Sequence, residues 1–161
     1  MYQRILLPLD GSDLSHQTIP HAIAIATGIG AAITLFQVIN SVALIISETT
    51  AASIEPIPSS ELTAEIAESA VEAQRQAAQA NLEAATAQII AGGIDAALIT
   101  TEIIEGNASQ TIVEAVERLG CDLVIIASHG RSGIKRALFG SVADHVARNT
   151  PNAAVLMIRP R

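Results

Sequence analysis

The sequence predicts an α/β sandwich: a parallel β-sheet with helices on both faces. Three observations predict it. Short apolar runs alternate with longer segments whose apolar residues recur at helical spacing. Gly, Asn, Asp and Pro punctuate the switches from one kind of segment to the other. The short runs are apolar at consecutive positions rather than at every second one, as expected of strands covered on both faces by crossover helices. Right-handed crossovers then give a doubly wound, three-layer α/β/α sandwich. With 161 residues, half of them hydrophobic, the chain is expected to form a single domain over 1–161 whose burial outweighs its ordering entropy.

Ile5-Leu6-Leu7-Pro8-Leu9 is the first strand, and Asp10-Gly11-Ser12 is a turn with a helix-start signal. Proline removes a ladder donor, so Pro8 belongs at the carboxyl end of this central strand, where pairing fades. From Asp13 to Thr27 the residues Ile19, Ala22, Ile23 and Ala26 repeat at helical spacing, and Gly28 and Gly30 stop the helix. Residues 32–39 are the second strand. Residues 41–60 are rich in Ser, Thr and Ala and carry Pro56 and Pro58. They are expected to form a long flexible loop with room for a short element at Val42–Ile46, which also suits a lid or a partner contact. Glu61 to Ala91 lacks Gly and Pro and is rich in Ala, Glu and Gln, so it is a helix, capped by Ser60 and ended by Gly92-Gly93. Within it Glu61, Glu65, Glu68 and Glu72 form a solvated face.

Ala96–Ile104 is the third strand, and Asn107 caps a helix over 108–118 that Gly120 ends. Asp122–Ala127 is an apolar fourth strand, and a loop, Ser128–Phe139, leads to a helix at 141–148. Ala153–Ile158 is the last strand.

Composition excludes several functions. The only aromatic residues are Tyr2, Phe36 and Phe139, too few for base-stacking platforms on single-stranded nucleic acid. Cys121 is the sole cysteine, which precludes an intrachain disulfide and fits a reducing, cytoplasmic compartment. The opening apolar run reads as a strand, not as a Lys/Arg-flanked signal peptide. From Leu14 to Ser47 no charged residue occurs, but Pro20, Gly28 and Gly30 interrupt the stretch, which reads as helix, turn and buried strand with no membrane span.

Net charge is −7, unevenly placed: residues 1–130 carry −12, whereas residues 131–161 carry +5 from Arg131, Lys135, Arg136, Arg148, Arg159 and Arg161 against Asp144. An acidic protein that gathers cations in one place suits a compact anion there and not duplex DNA.

In open α/β sheets ligands sit beyond the carboxyl ends of the strands, where strand order reverses. Two features should converge there. One is Asp10, whose carboxylate suits ribose hydroxyls. The other is Ala127-Ser128-His129-Gly130-Arg131-Ser132-Gly133, continuing through Lys135 and Arg136 to Gly140-Ser141. Its glycines let main-chain N–H groups approach an anion, and the helix that follows offers its N-terminus, which together make a phosphate seat. Neither GxxxxGK[ST] nor GxGxxG is present. A plain strand-to-helix connector would use glycines too, but the clustered charge favours phosphate.

The start ILLPLDGS, the turn Glu105-Gly106-Asn107-Ala108, and ASHGRSGIKRALFGSVADHV followed by AAVLMI resemble the universal stress protein family over nearly the whole chain, apart from 41–60. The resemblance implies a flavodoxin-like sheet in the order 3-2-1-4-5, as in adenine nucleotide alpha hydrolase-like proteins. It implies binding of ATP, or of AMP or cyclic AMP, with Mg2+ or Mn2+ carried on the phosphates, in a stress-response or signalling protein that hydrolyses slowly or not at all. The nucleotide-binding branch carries G-x2-G-x9-G-[ST]. Gly130 matches its second glycine, Gly140 its third and Ser141 the final hydroxyl, with Val142 next along the helix. Ala127 stands where the pattern has its first glycine, and a methyl there would crowd the ribose. By the same resemblance Asp10 holds ribose, the backbone of Val38 reads adenine, and Ser128 and Ser132 add phosphate contacts, with His129, Arg131 and Gly133 in the same loop. It also implies a homodimer through the edge strand Ala154–Ile158, an edge that itself invites pairing with a second copy.

Other candidates carry less. His129 has no nucleophile–base–orienter set around it, so no catalytic residue is assigned. His16, His21 and His145 are expected to face solvent or cap helices, and are too scattered for a metal site. Cys121 is expected to be a buried, inert hydrophobe. Asp13 suits a helix dipole. The second reading, favoured by Ala127, is a nucleotide-free dimeric interaction module.

Overall fold

The computed structural model describes residues 1–52, 60–128 and 140–159, and the side chains among them except those of 48–52 and 60–62. In chain order the elements are β1 (Arg4–Pro8), α1 (Asp13–His16), α2 (Ile19–Ile29), β2 (Ala32–Ile39), α3 (Val42–Ala52), α4 (Ser60–Ala91), β3 (Ile99–Glu105), α5 (Ala108–Leu119), β4 (Leu123–Ala127), α6 (Ser141–Asn149) and β5 (Ala154–Ile158). All described strand pairings are parallel, in the order β3-β2-β1-β4-β5, so strand order reverses at β1.

Side chains alternate across the sheet and build two cores. Ile5, Leu7, Ile33, Leu35, Leu123 and Ile125 pack against Ile19, Ala22 and Ala26 of α2 and Leu82, Ala85 and Ile89 of α4. Leu6, Phe36, Val124 and Ile126 point the other way, onto Ile112, Ala115 and Val116 of α5 and Ala143 and Val146 of α6. These side chains are almost entirely removed from water, which at about 25 cal/mol per Å² of apolar surface is the dominant favourable contribution to folding.

Local chemistry sets the element ends. The helix expected from Asp13 to Thr27 is broken into two, because Pro20 suits the first turn of a new helix rather than the interior of an old one. Gly30 closes α2 at φ 72°. Asn107 caps α5 by accepting from the N–H groups of Ser109 and Gln110, as expected. The third strand starts later than expected, since Asp95 caps a single 3-10 turn over Ala96–Leu98.

The expected loop at 41–60 is overturned over 42–52, which is helix and extends past the short element allowed for at Val42–Ile46. Ser41 accepts from the Leu44 N–H through Oγ and from the Ile45 N–H through its carbonyl, starting α3. Val42 and Ile45 then pack with Ile39, Val71 and Ala78 in a small third core against α4. Tertiary burial outweighed the modest propensity of a Ser/Thr-rich stretch. Pro56 and Pro58 lie outside the described residues.

No described helix is long and apolar enough to cross a membrane.

Candidate functional site

Pro8 shapes the reversal point. β1 pairs with β2 from Arg4 through Pro8, but with β4 only at Ile5 and Leu6. In that register the next donor owed to β4 is the residue-8 amide, and proline has none. The β1–β4 ladder therefore stops where strand order reverses, the place at which open α/β sheets leave a crevice between the strands' carboxyl ends.

Main-chain groups line the crevice from both sides. The Leu9 N–H donates to the Phe36 carbonyl at 2.8 Å and the Gly106 N–H to the Ile39 carbonyl at 2.9 Å. Phe36 thus faces β1 and Ile39 faces β3. By the alternation of a strand, Val38 turns its N–H and C=O toward β1, past the point where β1 has left the sheet. On the far side the Ser128 N–H donates to the Ile158 carbonyl at 2.8 Å, so Ser128 faces β5 and Ala127 faces β1.

Asp10 lies between these edges, half-buried. Its Oδ1 accepts from the Ser12 N–H at 2.9 Å and the Ser12 hydroxyl at 2.5 Å, and Gly11 takes the left-handed turn, φ 77°, between them. Ser12 in turn caps α1 by accepting from the Ser15 N–H. The carboxylate is thereby held in one orientation by its own turn.

The next rim of the crevice is built from α6. The Gly140 N–H donates to the Ser128 carbonyl at 2.5 Å, which ties the carboxyl end of β4 to the start of α6. Gly140 is the N-cap, extended at φ −67° and ψ 151°, with no side-chain cap. A helix start presents orphan N–H groups and a partial positive charge. Ser141 is exposed and Val142 half-buried there. Asp144, the one acidic residue of α6, is paired with Arg148 at 2.9 Å, and that pairing raises the Arg148 pKa.

Of the residues singled out from sequence, Asp10, Val38, Ala127, Ser128, Gly140, Ser141 and Val142 lie around this crevice. His129, Gly130, Arg131, Ser132 and Gly133 lie outside the described residues, as do Lys135 and Arg136. Ser128 is fully buried. Among the described residues no three His, Cys, Asp or Glu side chains group as a metal site. His16 departs from expectation: it faces Asn81, with its Nε2 2.5 Å from the amide Oδ1, rather than solvent. The polar residues Gln74 and Asn81 of α4, behind β2, were not foreseen as partners of Asn40 and Gln37, because amides on an Ala/Gln-rich helix read as surface.

The profile described as Universal stress protein family matches residues 1–159. A universal stress protein of Methanocaldococcus jannaschii is 30% identical over 161 residues, all of this chain and 85% of its own. The solved UspA of Lactobacillus plantarum superposes with a TM-score of 0.78 at 22% identity, over 98% of each chain. Three further solved structures share the fold with a TM-score of 0.65 each. One, 23% identical, is a universal stress protein in complex with cAMP, over 98% of this chain and 96% of its own. An Arabidopsis thaliana family member with AMP bound is 14% identical, over 99% and 92%. An Archaeoglobus fulgidus protein in complex with dAMP is 16% identical, over 98% of each. The profile match along the chain, the relative matched end to end and the sheet order β3-β2-β1-β4-β5 agree: the chain belongs to the universal stress protein family.

Proposed function

We propose that the chain binds an adenine nucleotide in the crevice between β1 and β4. One observation carries the reading: Pro8 ends the β1–β4 ladder two residues short of Asp10, between main-chain groups of Val38 and Ala127 that face the gap. The Val38 N–H and C=O match the N1 acceptor and N6 donor of adenine. Asp10, already oriented by Ser12, accepts from a ribose hydroxyl. The phosphates lie toward Gly140, Ser141 and Val142 at the start of α6 and toward the basic segment from Arg131 to Arg136. The solved relatives that hold cAMP, AMP and dAMP support adenine as the base.

ATP is the proposed ligand because the sequence places three cations beyond Ser128, more than a monophosphate needs. No described side chain is assigned to Mg2+ or Mn2+, so a divalent ion would come with the phosphates. No catalytic residue is assigned either, and turnover is expected to be slow or absent. The protein would act as a cytoplasmic homodimer in stress response or signalling, with nucleotide occupancy setting its affinity for a partner.

Calorimetry with ATP and Mg2+ on the wild type and Gly140→Val tests the reading. A side chain at the α6 cap should weaken binding by roughly tenfold or more, the scale of losing one or two charge-assisted hydrogen bonds. Equal affinities overturn the phosphate seat.

Ala127 favours a second reading, a nucleotide-free interaction module. Protein that purifies without a small molecule and shows no thermal shift with ATP, AMP or cyclic AMP would favour it.

A further inference from the structure

We propose that Gln74 and Asn81 of α4 are positioning residues that hold the edge of β2 in register to read an adenine. The proposal rests on the nucleotide reading above and adds the device that makes it selective for the base. Val38 offers only its main chain to the crevice, so its selectivity depends on where its N–H and C=O point; β3 bonds β2 on one side as far as Ile39, and beyond the last bond to β1 something must steady the strand from the helix layer.

Two side-chain amides do so. Gln74 Oε1 accepts from the Asn40 N–H at 3.1 Å. Asn81 Nδ2 donates to Gln37 Oε1 at 2.6 Å. These contacts bracket Val38 and Ile39. The spacings match: seven helical residues rise about 10.5 Å, and three strand residues span about 10 Å. Between the two amides, Ala78 is fully buried and lets α4 lie close against Ile39.

The pins are held in their turn. Asn81 Oδ1 lies 2.5 Å from His16 Nε2, which must carry a proton to donate to it. That bond fixes which end of the Asn81 amide faces Gln37, itself 5% exposed. It also joins α4 to α1, the helix that Ser12 caps while holding Asp10. The base edge and the ribose carboxylate are thus referred to one helix.

The test compares affinities for AMP and IMP, whose N1 donor and O6 acceptor reverse the adenine pattern, in the wild type, Gln74→Leu, Asn81→Leu and Gln74→Glu. The expected result is that each leucine variant lowers the AMP-to-IMP preference by about tenfold, one hydrogen bond's worth of discrimination. Gln74→Glu keeps an acceptor for the Asn40 N–H and should keep the preference. The ATP-to-AMP affinity ratio should stay unchanged throughout, because the phosphate contacts lie on α6. A helix that merely stabilised the domain would lower all affinities together and leave both ratios alone. The two leucine substitutions are independent, so either one that folds decides, and faster amide exchange at Gly106, whose N–H bonds the Ile39 carbonyl, is the second readout. An unchanged AMP-to-IMP preference in the folded leucine variants overturns this proposal alone. A wild type that binds no adenine nucleotide overturns it together with the nucleotide reading.

Discussion

Cys121 and Asp122 are neighbours with opposite jobs at the amino end of the sheet. The Asp122 carboxylate accepts from the main-chain N–H groups of Gln3 and Arg4, at 2.8 to 3.0 Å, and so anchors the start of β1 to that of β4. The Cys121 thiol is buried, and its pKa is pushed up to about 11, first by burial and then by the charge of Asp122 beside it. The unfolded thiol ionises near 9, so the folded state keeps a proton that the unfolded state has lost. The stability this contributes is complete below pH 9 and is lost as pH rises from 9 through 11. A thiolate is the reactive form, so native protein at pH 8 should consume no iodoacetamide, while protein in urea at the same pH should be alkylated within minutes. Alkylation of the native protein at the unfolded rate would show that Cys121 is not shielded.

At the scale of elements, the carboxyl end of β1 is where one residue alters a whole sheet. Pro8→Ala supplies the amide that the β1–β4 register lacks. That amide should bond to β4 and exchange slowly with solvent, and AMP binding should weaken as the crevice narrows. Fast exchange at residue 8 would mean that something other than the missing donor ends the ladder. Much of this was legible beforehand. Strands as apolar as Leu123–Ala127 have no other home than a covered parallel sheet, and a proline at residue 8 has no place except where a ladder stops. Asp10 and the Gly140–Ser141 helix start could be placed for the same reason, since the fold class itself says which ends of the strands bind. What escaped was what depends on distant partners. α3 is helical because Val42 and Ile45 find Val71 and Ala78 some thirty residues on, and no local signal in SVALIISETTAA carries that contact. Gln74 and Asn81 looked like solvent-facing amides because their partners, the Asn40 N–H just past β2 and Gln37 on it, sit far off along the chain.

For the molecule as a whole, the open question is what covers β5. Every residue from Ala154 to Ile158 is only half-buried, although all five are apolar, whereas Leu123–Ile126 of its neighbour are buried. The register tells which groups are spare. The Ala154 N–H donates to the Asp122 carbonyl and the Ile158 carbonyl accepts from the Ser128 N–H, so the even positions face β4. Val155 and Met157 therefore turn their N–H groups outward, along an edge that a second copy can extend across a two-fold axis. Proline at an outward position removes a donor from that edge and none from the ladder to β4, whereas proline at an inward one breaks the ladder itself. Met157→Pro is thus expected to sediment as a folded monomer at concentrations where the wild type sediments as a dimer, and Leu156→Pro, which leaves a ladder acceptor on β4 unpaired, should lose about 1 to 3 kcal/mol of fold stability. If the wild type were a monomer at every concentration, or if Met157→Pro remained a dimer, β5 would not be the interface.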